Sequence, residues 1–193
     1  MIVPQATDAR ALFIVDVQPL TLTGDIALRI TDAIARFTEQ PLYQAYIVAE
    51  YHAPKSSMMY KQGAFTLKAE ETGPSSEAVL RALEPYRKNL FRVHKTTRSC
   101  FKGTDPDGLN RFLTQRGIRE IHFVGFDIND CVLASAYDAI DMGYYSFVLE
   151  ELSHHHAGLE HLKESAITIY RRQNMTNNSL IEGIARKRIE DPS

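Results

Sequence analysis

Three side chains in this sequence have the types that covalent hydrolysis needs: the thiol of Cys131, the carboxylate of Asp16 and the ammonium of Lys95. Cys131 follows the run Val124-Gly-Phe-Asp-Ile-Asn-Asp-Cys131, and its place after a strand and a loop predicts the first turn of a helix. There the helix dipole and unpaired backbone N–H groups favour a thiolate, the form that attacks carbonyl carbon. By position alone the residue reads equally as a small buried hydrophobe. Asp16 closes the apolar run Ala11-Leu-Phe-Ile-Val15. A carboxylate there is either a base raised by desolvation or an ordinary turn residue. Lys95 follows Phe91-Arg-Val-His94 and either steadies a carboxylate and a thiolate or is simply solvated. The three gain weight as a set on one edge of one sheet.

The alternation of elements predicts such an edge. Strands are expected at 11–15, 43–49, 89–93, 120–125 and 144–149. Helices are expected at 26–38, with Thr23 or Asp25 as cap, and at 76–83, 107–116 and 130–142. Gly117 is in the position of a helix stop. The helix at 130–142 carries Val132, Ser135, Ala136, Ala139, Ile140 and Gly143 at helical spacing, a stripe that lets it lie close on a sheet. Ile167-Thr-Ile-Tyr170 reads as either a sixth strand or part of a helix. Strand–helix alternation with near-continuous apolar strands predicts a three-layer α/β/α fold. Its sheet is Rossmann-like, mostly parallel and five- or six-stranded. In such sheets ligands bind beyond the carboxyl ends of the strands, where Asp16, Lys95 and the loop before Cys131 all fall. The stretch from Tyr51 to Ser75 is too long for a plain connector and reads as a functional loop or lid.

Composition narrows the partners. The 193 residues are 44% apolar, enough for one sizeable core, and no repeat or linker divides 1–193 into more than one domain. With 22 basic and 24 acidic residues the net charge is −2, which offers no electrostatic footprint for nucleic acid or an anionic membrane surface. Two cysteines, Cys100 and Cys131, are too few for a disulfide scaffold or a Cys-rich zinc module. The residues from Met1 to Arg10 lack a signal peptide, and no apolar run approaches the ~20 residues of a membrane span. A cytoplasmic protein acting on a small molecule is the expectation.

Three blocks together resemble the isochorismatase-like cysteine hydrolases. They are Ala11-Leu-Phe-Ile-Val-Asp-Val-Gln18, Lys95-Thr-Thr-Arg-Ser-Cys-Phe101, and Val124 to Val132 with Ala136-Tyr-Asp-Ala139 and Gly143-Tyr144. That superfamily includes nicotinamidases, N-carbamoyl amidases, ureidoacrylate amidases and isochorismatase. The resemblance runs from about residue 10 to 165 and implies the isochorismatase-like hydrolase fold. It also implies an Asp16–Lys95–Cys131 triad, with Cys131 as nucleophile, Asp16 as proton carrier and Lys95 holding their charge states. The oxyanion hole would be the backbone N–H groups of Asp127 and Cys131, and a cis peptide would fall at Phe126–Asp127. Two residues depart from the pattern: Ile128 replaces a frequent Thr, and Asp127 a usually small residue.

The activity so implied is C–N cleavage in a small amide or carbamoyl compound through an acyl-enzyme. The alternatives are vinyl-ether hydrolysis, as in isochorismatase, and a non-catalytic binding protein on the same scaffold. Nicotinamidases carry an Asp-x-His pair and further histidines for a metal. Here Glu50-Tyr51-His52 mimics the pair, but Met58 and Met59 stand where another His is sought, so no catalytic metal and no cofactor are expected. His154, His155 and His156 read as a solvated loop before a helix near Gly158, with contact between His154 or His155 and substrate as the lesser reading. Arg98 and Lys102 either bind a substrate carboxylate or face solvent. Cys100, where relatives have a small residue, reads as a structural thiol near the site. The resemblance implies a homo-oligomer, dimer or higher, although no residue specifies an interface.

Overall fold

Residues 11–15 carry apolar side chains on both faces and no helix-stop signal, and with Arg10 they form the buried central strand β1 (Arg10–Val15). The structure, a computed structural model, describes residues 9–52, 55–63 and 72–177. The leader reading at 1–8, parts of the 51–75 stretch and the segment after 177 lie outside the described residues. The remaining strands are β2 (Ala45–Tyr51), β3 (Leu90–Lys95), β4 (Glu120–Gly125) and β5 (Tyr145–Ser153). All pairings are parallel and the order is β3-β2-β1-β4-β5, a five-stranded sheet.

Helices cover both faces. On one side α1 (Asp25–Thr38) and α3 (Glu77–Leu83) bury Ala27, Ile34, Val79 and Leu83 against Leu12 and Ile14. On the other, α4 (Pro106–Gln115), α5 (Cys131–Asp141) and α6 (Glu160–Arg172) pack Leu109, Leu113, Val132, Ala136 and Tyr170 against Phe13 and Val15. A single turn, α2 (Met58–Lys61), lies in the long connection after β2. The fold is the expected three-layer α/β/α sandwich.

Several local expectations shift. Ile167 to Tyr170 is helical: Ala166 and Tyr170, four apart, both reach the core, so packing at helical period overrides the β-branched preference. Gly24, rather than Thr23 or Asp25, occupies the N-cap of α1, while the Thr23 hydroxyl donates to the His156 carbonyl at 3.4 Å. Ile140 leaves the buried stripe of α5 and is 41% exposed. α6 begins at Glu160, two residues past Gly158.

The strand order reverses between β1 and β4, whose ends approach tightly. Gly125 has φ +114°, and a Cβ added to it would lie 2.2 Å from the Val15 carbonyl oxygen. Only glycine permits that approach. Beyond it the Phe126–Asp127 peptide is cis, as the resemblance implied.

Candidate functional site

Asp16 is the first residue past β1. Its backbone is left-handed, at φ 52°, and its N–H donates to the Ala49 carbonyl at 3.0 Å. Aspartate adopts this conformation more readily than most residues. Lys95 is the last residue of edge strand β3, in register with Tyr51 of β2. Its side chain crosses β2 and places Nζ 2.7 Å from Asp16 Oδ2 and 3.3 Å from the Thr97 carbonyl, with the Tyr51 ring 5.3 Å away. Cys131 opens α5, across the switch point, and is 6% exposed. The three sequence-expected residues thus meet at one sheet edge.

Their electrostatics are those of a closed site. Burial raises the Asp16 carboxyl above its ordinary value, against the opposing pull of Lys95. Burial acts to lower the Lys95 ammonium, but Asp16 together with Cys131 and Cys100 outweighs it and holds the group well up, so Lys95 stays charged. Burial also pushes the Cys131 thiol well up, and Lys95 only partly offsets this. The helix-terminus argument from sequence therefore loses to desolvation, and the resting group is a thiol that needs a base. Asp16 Oδ1 is buried without a hydrogen-bond partner among the described residues. The Cys131 thiol and this carboxylate perturb one another, so the two groups are neighbours.

Cys100 differs. It is fully buried, and its thiol is pushed up to about 11 by burial. The Ser135 hydroxyl accepts from Cys100 N–H at 3.0 Å and lies 3.2 Å from its sulfur and 2.7 Å from the Cys131 carbonyl. Cys100 is thus joined to the first turn of α5 through one serine.

The two nearby cations have partners at the start of α5 and along it. Arg98 pairs with Asp130, and Lys102 Nζ lies 3.1 Å from Asp138. Neither is left as an uncompensated charge for a substrate carboxylate. A cavity of about 560 Å³ lies between this loop and α5, lined by Met58, Met59, Thr97, Arg98, Ala134 and Tyr137 among others.

Sequence reading undervalued several residues. Gln18 is buried and clips the end of β2: Oε1 accepts from Tyr51 N–H at 2.6 Å, and Nε2 donates to the carbonyls of Tyr51 and Gly73. Glu50 Oε1 accepts from Ser75 N–H at 2.8 Å and from Arg92 at 2.6 Å. His94, unnoticed in sequence, brings Nδ1 to 3.5 Å from Glu50 Oε2 and 3.0 Å from His52 Nε2. A pair two residues apart flags Glu50 and His52, whereas His94 joins them only through strand register.

Among the described residues, Glu50, His52 and His94 bring three donor atoms within 4.8 Å of one another, an arrangement that suggests a metal. The set does not fit one as it stands. The Arg92 guanidinium already binds Oε1 of the carboxylate, so a dication at Oε2 would sit close to a positive charge, and the two imidazoles are hydrogen-bonded to each other.

The histidine loop also departs from expectation. His154 is 4% exposed rather than solvated, and its carbonyl accepts from Ile128 N–H at 3.1 Å. His156 donates its backbone N–H to Asp127 Oδ1 at 2.7 Å, and its Nδ1 lies 2.8 Å from Oδ2. The unusual Asp127 thus has its partner in this loop.

Comparison with known proteins agrees with the fold. No helix among the described residues is long and apolar enough to cross a membrane. The chain is 37% identical over 78 residues to a ureidoacrylate amidohydrolase, RutB, of Agrobacterium fabrum, covering 40% of this chain and 32% of that protein. The match spans about a third of that relative's length. Nicotinamidase PncA from Bacillus subtilis superposes with a TM-score of 0.70 at 22% identity, covering 84% of this chain and 94% of that one. N-carbamoylsarcosine amidase from Thermoplasma acidophilum does so with 0.61 at 20% identity, covering 76% and 84%. The isochorismatase domain model matches residues 10–173, nearly the whole described region, and the chain belongs to the isochorismatase family.

Proposed function

We propose that this protein is a cysteine-dependent hydrolase that cleaves the C–N bond of a small amide or carbamoyl compound. The observation that carries the reading is the buried Asp16–Lys95 pair, 2.7 Å apart, beside a buried thiol at the first turn of α5. A carboxylate with one oxygen paired to an ammonium and the other without a partner is arranged to accept a proton. Asp16 takes the Cys131 proton, and the thiolate adds to the substrate carbonyl carbon. The carbonyl oxygen becomes an oxyanion facing the N–H groups of Asp127 and Cys131, donors worth about 3 kcal/mol each. As the intermediate collapses, Asp16 returns the proton to the leaving nitrogen, giving an amine or ammonia and a thioester. Water, deprotonated by Asp16, then cleaves the thioester, and the proton restores the Cys131 thiol. Lys95 stays charged throughout and keeps Asp16 able to ionise. The amide relatives, RutB among them, support this reading over vinyl-ether hydrolysis, which does not need the thiol.

The test is ammonia release across a panel of small amides, ureas and carbamoyl compounds, with Cys131→Ala and Cys100→Ala compared. Release lost in Cys131→Ala and kept in Cys100→Ala is expected, as is iodoacetamide labelling at Cys131 ahead of Cys100. Full activity in Cys131→Ala would refute the mechanism.

A further inference from the structure

The loop from Phe126 to Asp130 delivers both Cys131 and the Asp127 N–H, and the connection between β5 and α6 fastens it. Ile128 N–H donates to the His154 carbonyl at 3.1 Å, and His154 N–H donates to the Gly125 carbonyl at 3.2 Å. The Tyr170 hydroxyl donates to the Ile128 carbonyl. These contacts fix the main chain without involving the charge that Asp127 brings. That carboxylate belongs to the residue assigned an oxyanion-hole N–H, and its charge reaches Asp16. Unpaired, it would repel a developing oxyanion.

We propose that protonated His156 is a positioning residue for the hydrolytic step: it draws the Asp127 side chain toward the β5–α6 connection and cancels its charge. The Asp127 N–H then faces the oxyanion without an opposing carboxylate. This rests on the reading of Cys131 as nucleophile. The geometry is two hydrogen bonds from one residue, backbone N–H to Oδ1 at 2.7 Å and Nδ1 to Oδ2 at 2.8 Å, with Nδ1 also 3.0 Å from Oδ1.

The Asp127 carboxylate also faces His155, whose Nε2 lies 3.9 Å from Oδ2. The His155 ring stacks on that of His156 at 4.5 Å, and burial lowers His155, so that neighbour is neutral. His154 and His161 act on His155 from the same connection and α6. Asp25, at the start of α1, shares with His156 a cavity of about 170 Å³. Asp127 raises His156, outweighing its burial. The imidazolium is therefore present below that raised value and lost as pH rises through it, so His156 sets an alkaline limb on the rate.

Hydrolysis of p-nitrophenyl acetate, corrected by Cys131→Ala, reads acyl transfer without knowledge of the natural substrate. The expected result is a wild-type rate that falls on the alkaline side. His156→Ala and His156→Gln should lose about tenfold in kcat with little change in KM, and should lose that limb. In Asp127→Ala/His156→Ala, where no carboxylate remains to be cancelled, part of the lost rate should return. A double variant no faster than His156→Ala, or an alkaline limb that survives in His156→Ala, would overturn the proposal. Thermal melts identify any variant that has lost its fold. NMR titration of the His156 ring supplies a second readout: a midpoint above 6.5 that drops in Asp127→Ala is expected, and one unmoved by that substitution overturns the ion pair. Absence of any Cys131-dependent release would instead overturn the cysteine-hydrolase reading, and the role with it, while the titration would still decide the ion pair.

Discussion

Lys95 Nζ lies 2.7 Å from Asp16 Oδ2, although 79 positions separate the two residues and they belong to the ends of different strands. β2 lies between those strands, so the lysine side chain spans its neighbour and is buried along its whole length. The carboxylate's charge is thereby balanced by one ammonium instead of by water.

Replacing that ammonium by an apolar group of similar length should be costly. Lys95→Met leaves Asp16 buried without its counter-charge, and a loss of about 3–5 kcal/mol is expected at neutral pH. Urea unfolding measures it. Asp16→Asn/Lys95→Met, with neither charge, should be less destabilised than Lys95→Met alone. Equal midpoints for Lys95→Met and the parent protein would contradict the pairing.

Burial raises Asp16, and only its ionised form can take the Cys131 proton. With Asp16 as the proposed base, that form is lost as pH falls through a value above the ordinary 3.8. Cys131-dependent kcat/KM should show an acid limb centred above that value. A limb at or below it would mean that Asp16 is not the base.

Glu50 behaves oppositely. Burial pushes it up, but the Ser75 N–H and Arg92 together hold it below its ordinary 4.5. Its stabilising effect is present above 4.5 and disappears as pH falls through the depressed folded value. Glu50→Gln should cost about 1–3 kcal/mol near neutrality. The gap between the two stability curves should narrow on acidification below 4.5, and a gap independent of pH would exclude this role.

Gly125→Ala should disrupt the fold and the site together, since its Cβ would meet the Val15 carbonyl oxygen at 2.2 Å and its φ is +114°. Strain of about 1–3 kcal/mol is expected from the backbone alone, with further loss from parting β1 and β4. Gly117→Ala, at φ +60° with open space around it, isolates the backbone part. Thermal melts compare the two. Similar shifts would mean that the β1–β4 approach is not tight.

The sequence by itself determined the layers and singled out the three residues that the proposed mechanism uses. Apolar runs buried on both faces leave few alternatives to parallel strands, and Asp16, Lys95 and Cys131 each follow a recognisable strand or loop signal. Local pattern failed at Ile167 to Tyr170, because β-branched composition carries no information about the sheet that Ala166 and Tyr170 pack on. It failed again at the protonation state of Cys131, because burial is a property of the surrounding fold and here outweighs the helix terminus. Only the tertiary structure paired Asp127 with His156, Glu50 with Arg92 and His94, and Arg98 with Asp130. Each is a charge whose partner lies on another element, 29 positions away for Asp127 and 42 for Glu50 and Arg92. Hydrophobic period is written along the chain and can be read there. Charge compensation at a sheet edge is fixed by strand order and register, which exist only once the chain has folded.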